Sequence, residues 1–368
     1  MKDEIKQKET IESTSGRIKD YLLPFMEEYL FDQLTDDYLE KIEMKDILSS
    51  VPVPFKKTEL ANLTGINLAR SMAAVIGCDP DFEYAPAYKE FIERAFRGDF
   101  VKPLIGEGLE LAEKGEFERA CLLFRAAINI APENSDALYC YARACRDCYE
   151  SGEGEEYVGR FKAESLESFE KLTVMAPEFE MGYYYLGYAY LNLGLYIKAK
   201  LTFETFMNLT DDEHLEKAIA KIPDGAPITG SSLTEEWKGL REEVSGWIAK
   251  LDEPVKIETA YNQVLAGRYE QGIEMLEPYV ENEAYNNWWP LYFYLGVSYE
   301  ALSNDEKAEW AYKKVLELSP SNTDAMEGLI RIGHSTGDED LVSKYEDKIK
   351  VVQRNREEER AAKNKNYN

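Results

Sequence analysis

One group of residues recurs along this chain at a fixed internal spacing. Gly108, Gly115, Phe117, Ala120, Phe124 and Pro132 form one copy. Gly187, Gly194, Tyr196, Ala199 and Phe203 form a second, and Gly296, Ala308, Tyr312 and Pro320 a third. The steps from Gly108 to Gly187, from Gly115 to Gly194 and from Ala120 to Ala199 are all 79 residues; those from Gly187 to Gly296 and from Ala199 to Ala308 are both 109. Short units that recur in this way cannot bury their apolar faces alone and must stack on their neighbours, which predicts an all-α solenoid of helical hairpins.

The residue types state how each unit is built. Small residues stand where two helices cross closely: Gly108 with Ala120, Gly187 with Ala199, Gly296 with Ala308. Phe124, Phe203 and Tyr312 fill the space beyond them. Gly115, Gly194, Gly267 and Gly337 mark the turn inside a unit, where a left-handed residue ends the first helix. Pro132, Pro177 and Pro320 follow the second helix, because the proline ring blocks its continuation.

The two steps are close to two periods of about 34 residues with 11 added, and three periods with 7 added. On these residues the chain resembles the tetratricopeptide repeat family. Six units follow from the pattern, with boundaries near Lys102–Asn134, from Ser135, Glu180–Thr210, Glu253–Ala284, Trp289–Asn322 and Thr323–Val351, the last a polar cap. Units one to three occupy residues 101–210, and units four to six residues 253–351. An insertion near residues 150–160, around Gly152 and Gly154, lengthens the second unit. Residues 211–252 read as a helical insert or a degenerate repeat, with a loop from Pro223 to Ser231 and a helix start at Thr234.

Residues 1–15 are expected to be frayed, and residues 16–100 to form a helical extension packed on the first repeat, with a separate helical module as the alternative. Its helices are predicted over Ile18–Tyr29, Leu39–Leu48, Lys57–Ile76 and Tyr88–Phe96, broken by Pro52, Pro54 and Pro86. The charged tail, residues 352–368, is poor in apolar residues and is expected to fray.

The resemblance implies that first helices line a concave groove. It turns Tyr139, Arg143 and Arg146 into that groove in the second unit, and Met181, Tyr184, Tyr188 and Asn192 in the third. In the fourth it selects Ile257 and Tyr261, and in the fifth Phe293, Val297 and Glu300; the first unit contributes Lys102, Ile105 and Leu109. Tyr183, Leu186 and Tyr190 fall on packing positions and are expected in the core. A carboxylate clamp of the kind similar co-chaperone repeats use is not expected, since only Arg143 and Arg146 supply cations. Tyr184 and Tyr188 are expected either to contact a partner or to lie beneath residues 1–100, which would then occupy the groove.

There are 70 acidic against 43 basic residues, a net charge of −27. Such a field repels phosphates, so neither nucleic acid nor an anionic membrane is expected as partner, while a basic protein is admitted. No apolar run approaches the roughly 20 residues that span a bilayer. Met1 to Ser15 lacks the apolar core of a secretory signal, and a cytoplasmic location is expected. The odd set Cys78, Cys121, Cys140, Cys145 and Cys148 suits a reducing compartment. Cys145-Arg-Asp-Cys148 has neither of the two histidines, His214 and His334, near it in sequence, and reads as buried thiols rather than a metal site. There is no phosphate-binding loop and no nucleophile elbow. No catalytic residue, metal or cofactor is expected. The function expected from the resemblance is a non-enzymatic scaffold or adaptor that binds a peptide or helix of a partner protein. A peptide-sensing regulator acting through a partner, and a structural assembly subunit, are the alternatives; the oligomeric state is not fixed by these residues.

Overall fold

The computed structural model of the chain describes residues 16–60, 64–223 and 226–365, with side chains as far as residue 358. Residues 1–15, expected to fray, lie outside them. Helix α1 (Lys19–Leu22) gives way to a 3-10 turn (Leu23–Glu28) at Pro24, whose missing N–H and ring forbid an α-helical continuation. The chain then extends as β1 (Tyr29–Gln33). Helices α2 (Asp36–Lys41) and α3 (Lys45–Leu48) follow, then β2 (Pro52–Lys56). The strands pair antiparallel, Tyr29 opposite Lys56 and Gln33 opposite Pro52.

This hairpin corrects the helices predicted over Ile18–Tyr29 and Leu39–Leu48. Glu43 adopts a left-handed conformation (φ 59°) and the Met44 N–H donates to Leu39 O (2.9 Å), which ends α2. Pro52 and Pro54 do not break a helix. They stand two apart in a strand, so their missing N–H groups fall on one edge. Helix α4 (Gly65–Cys78) starts later than predicted, capped by the Thr64 hydroxyl, and α5 (Ala85–Phe96) starts earlier, with Pro86 in its first turn.

The repeats follow as α6 (Val101–Glu113) with α7 (Phe117–Ile130), α8 (Ser135–Ser151) with α9 (Glu155–Met175), and α10 (Glu180–Asn192) with α11 (Tyr196–Leu209). Then come α12 (Asp212–Ala220) and α13 (Gly230–Lys250) of the insert. The later repeats are α14 (Asp252–Leu265) with α15 (Tyr269–Leu276), α16 (Trp289–Ala301) with α17 (Asp305–Leu318), and α18 (Thr323–Thr336) with α19 (Glu339–Lys365).

One turn recurs inside these hairpins. Gly115, Gly194, Gly267 and Gly337 have φ between 71° and 80°, and the following N–H reaches back to a carbonyl of the first helix: Glu116 to Leu111 (2.9 Å), Arg268 to Gln263 (2.9 Å). The α16–α17 turn makes the same bond, Asn304 to Tyr299 (2.9 Å), with Ser303 instead of glycine at φ 58°. The helix-crossing glycines face the aromatic residues rather than the alanines. A Cβ on Gly108 would lie 2.5 Å from the Phe124 ring, and one on Gly296 2.7 Å from Tyr312.

The insertion in the second repeat is not a loop. Helix α8 has 17 residues against 13 in α6, and α9 has 21 against 14 in α7. Additions of four and seven residues are close to one and two whole helical turns, so both helices lengthen while each keeps its face. The insert's second helix starts at Gly230, not at Thr234. The Thr229 hydroxyl accepts from Ser232 N (3.2 Å) at its start, and Thr234 bonds back to Gly230 O (2.8 Å) inside it. The tail expected to fray is helical as far as Lys365.

Packing divides the chain into two compact units: residues up to 189 with 202–237, and residues 190–201 with 238 onward. In the first, the extension and the first two repeats share one core that includes Leu22, Val75, Ile76, Phe124, Tyr141 and Phe161. Helix α4 crosses α7, whose residues Ala120 to Ala127 are all buried. The buried Arg125 guanidinium donates to Gly77 O (3.1 Å) and Cys78 O (3.2 Å), closing the end of α4. Tyr21 packs on Tyr157 and Phe161 of the lengthened hairpin, and Arg17 pairs with Glu164 (3.1 Å). The described part of the extension therefore covers second helices, α7 and α9. In the second unit Leu276, Leu291, Leu295, Tyr312, Val315 and Leu329 belong to the core.

Candidate functional site

Within each unit, first helices lie side by side: α6 against α8, and α14 against α16 against α18. On α8, Tyr139, Arg143 and Arg146 are spaced so that they share one face. On α10, Met181, Tyr184, Tyr185 and Tyr188 do the same.

Tyr185 is the hub of this face. Its ring stacks on Phe169 of α9 (5.5 Å, 14°) and meets Tyr184 edge to face (5.1 Å, 89°). The Arg143 guanidinium lies 5.2 Å from the Tyr185 ring and 5.8 Å from that of Tyr139; Arg146 lies 5.3 Å from Tyr185. All three distances are within cation–π range. Tyr139 also packs on Phe179 (5.1 Å). Tyr184 continues the aromatic row to Tyr188 (5.1 Å) and Phe206 (5.5 Å), and Tyr188 rests edge-on against Phe203 (5.2 Å). These tyrosines are half-buried: each ring body is packed and part of it remains open to solvent.

The electrostatics of the cluster are local. Burial pushes the Tyr139 phenol above its usual range, reinforced by Tyr185 and opposed by Arg143. Burial also raises the Asp147 carboxyl, while Arg143 and Arg146 pull it down. Arg146 is paired with Glu150 (2.7 Å). The Nε of Arg143 is buried and has no hydrogen-bond partner. A buried N–H left unsatisfied costs about 1–3 kcal/mol.

In the second unit Tyr261 of α14 stacks directly on Tyr294 of α16 (5.0 Å, 15°). Phe293 meets Trp289 (6.3 Å) and Tyr312 (6.2 Å), and Val297 packs on that unit's core. Ile257, expected in the groove, is buried in that unit's core instead. Asn192 is exposed at the end of α10, Met181 is half-buried in its first turn, Lys102 and Leu109 are exposed, and Ile105 packs on the first core. Of the expected core positions, Leu186 and Tyr190 are buried and Tyr183 is half-buried.

Tyr185 and Tyr294 were not singled out by the sequence reading. They stand 109 residues apart, the same step that relates Gly187 to Gly296, so the repeat spacing itself carried the signal.

Residues 290–322 match the family model for the tetratricopeptide repeat. The same turn recurs at Gly115, Gly194, Gly267 and Gly337, and the same glycine-on-ring packing in α6–α7 and α10–α11. The chain carries a tetratricopeptide repeat at residues 290–322. Solved structures similar to it include MamA residues 41 to the end from Desulfovibrio magneticus RS-1, at 13% identity over 70% of this chain and 97% of that one, with a TM-score of 0.26. PilF of Pseudomonas aeruginosa is 14% identical over 68% of this chain and 91% of its own, with a TM-score of 0.28. YrrB, described as a tetratricopeptide repeat protein with an unusual peptide-binding site, is 16% identical over 61% and 89%, with a TM-score of 0.28. The repeat assignment rests on the matched residues and the recurring geometry, not on these alignments. No curated protein matches the sequence.

Tetratricopeptide repeats are protein-interaction scaffolds whose stacked helices present extended binding surfaces. Among the described residues no helix is long and apolar enough to cross a membrane, and no group of three His, Cys, Asp or Glu side chains is arranged to hold a metal ion. Cys121 lies 3.6 Å from Cys145 and 3.8 Å from Cys148, all buried. Burial raises the Cys121 thiol well above its usual range and Cys140 to about 11, so these groups stay protonated at neutral pH.

Proposed function

We propose that the first-helix face of the first unit binds a peptide segment of a partner protein, with Tyr139, Arg143, Tyr184, Tyr185 and Tyr188 as its anchor. One observation carries this reading. Tyr261 stacks directly on Tyr294, whereas at the corresponding positions of the second and third repeats a guanidinium with a buried Nε that has no hydrogen-bond partner, that of Arg143, lies against Tyr185 and also against Tyr139. Movement of the Arg143 side chain towards a peptide carbonyl or carboxylate would satisfy that Nε, and the half-buried tyrosines would cover an apolar side chain beside it. Tyrosine and arginine are the residue types that dominate binding energy at protein interfaces.

The anchor itself is nearly balanced in charge, with Arg143 and Arg146 facing Asp147 and Glu150. A preference for basic partners would therefore arise from the long-range field of the acidic chain, which changes encounter rate more than local fit. The test is selection of peptides from a displayed library, followed by fluorescence anisotropy of the best binder. Arg143→Ala and Tyr188→Ala, each of wild-type helicity by circular dichroism, should weaken it by about tenfold or more, the scale of an interface hot spot. Unchanged affinity in both would place the binding surface elsewhere.

A further inference from the structure

A second polar feature of the first unit lies away from the tyrosine face. Where α5 meets α7, α8 and α9 there is a cavity of about 250 Å³, lined by Lys89, Arg125, Asn129, Tyr141, Glu164 and Lys171 among others. Its charges are arranged unequally. The acids are engaged: Glu164 accepts from the Tyr141 hydroxyl (2.8 Å) and pairs with Arg17 (3.1 Å), and Arg17 also pairs with the other lining acid, Glu167 (2.9 Å). Among the described residues Lys89 and the exposed Lys171 have no acid within ion-pair distance and no side-chain hydrogen bond. Lys89 is half-buried, and burial lowers its ammonium from the ordinary value against the opposing pull of Asp81. Asp81 is not within ion-pair distance, so holding this ammonium partly out of water carries a cost that a bound anion would offset.

We propose that this cavity is a binding site for a small anion of the phosphate class, either inorganic phosphate or the phosphate group of a small metabolite. Two ammonium groups arriving from different helices supply the charge-assisted hydrogen bonds that a tetrahedral dianion needs. Asn129 adds an amide whose Nδ2 already donates one bond to Arg125 O (2.8 Å), leaving a second N–H. Arg125, held by the carbonyls at the end of α4, adds fixed positive charge to the wall. The cavity exceeds the size of a bare phosphate, so a short polar body fits beside it. Because Lys89 belongs to the N-terminal extension and Lys171 to the second repeat, a bound anion would cross-link the two.

The site and the peptide face share no residue, so either can fail alone. The experiment is isothermal titration of the full chain with inorganic phosphate and, separately, with glycerol 3-phosphate, in chloride at constant ionic strength. Saturable binding of one anion per chain is expected, with tighter binding of glycerol 3-phosphate if the metabolite is the source and of inorganic phosphate if the free ion is. Lys89→Gln should weaken it at least tenfold and Lys171→Gln several-fold. Without anion, Lys89→Gln should melt no lower than wild type, because it removes a half-buried charge that has no ion-pair partner. No saturable heat with either probe up to about 10 mM, a free energy of binding weaker than about −3 kcal/mol, would overturn the proposal. So would Lys89→Gln binding within twofold of wild type, or loss of binding in Arg143→Ala instead, which would put the anion on the tyrosine face.

Discussion

At the scale of single residues, the repeats repeat their strain as well as their packing. The turn inside each hairpin needs a left-handed residue, and in α16–α17 that residue is Ser303, whose Cβ makes the conformation unfavourable. Ser303→Gly should stabilise the chain by about 0.5–1 kcal/mol, read as a higher urea midpoint, because relief of strain outweighs the added freedom of the unfolded chain. Gly296 shows the opposite constraint. Its missing side chain is occupied by the Tyr312 ring, which Gly328 also contacts from α18 and which is fixed by its hydroxyl bond to Glu300 (2.6 Å). Gly296→Ala has no room to relax and should cost about 2 kcal/mol or more in the same assay.

At the scale of elements, the decisive partnership is between the N-terminal extension and the second helices of the first two repeats. Helix α7 is buried from Ala120 to Ala127, partly by its hairpin partner and partly by α4. Deleting residues 1–100 should therefore expose core rather than free a groove. The shortened chain is expected to lose helicity or aggregate, and a well-folded, monomeric product by circular dichroism and size-exclusion chromatography would refute that view. The Arg17–Glu164–Tyr141 network joins the same elements. Burial raises the Glu164 carboxyl above its ordinary 4.5, against the pull of Tyr141 and Arg17. The folded chain then holds this proton more tightly than the unfolded chain, so the group's destabilising effect at neutral pH diminishes as pH falls through the folded value towards 4.5. Glu164→Gln lacks that titration. The stability difference between the variant and wild type should move in favour of wild type between pH 7 and pH 5, and a difference constant with pH would contradict it.

At the scale of the whole molecule, a net charge of −27 governs how partners arrive more than how they are held. If the selected peptide is basic, its association rate should fall steeply as salt rises past about 0.1 M, where the screening length is about 10 Å. Its dissociation rate, set by the packed tyrosines, should hardly move; stopped-flow measurements at several salt concentrations separate the two.

The sequence by itself determined the repeat. Glycine at the turns, glycine against an aromatic ring and proline after the second helix are local requirements, met by a few residues at fixed offsets, so spacing alone revealed them. It also determined the net charge, and it placed Tyr139, Arg143, Tyr184 and Tyr188 on first helices. Only the tertiary structure decided the rest. The β-hairpin at Tyr29–Gln33 and Pro52–Lys56 forms between segments far apart in the chain, and neither has a pattern strong enough to announce it. The 11 added residues became whole turns of α8 and α9 because only whole turns keep both faces on the core. Tyr185 became the hub of the candidate site because Phe169, Arg143 and Arg146 converge on it from other helices. Lys89 and Lys171 meet at one cavity for the same reason: their encounter depends on how the extension docks, and no local rule of sequence encodes that.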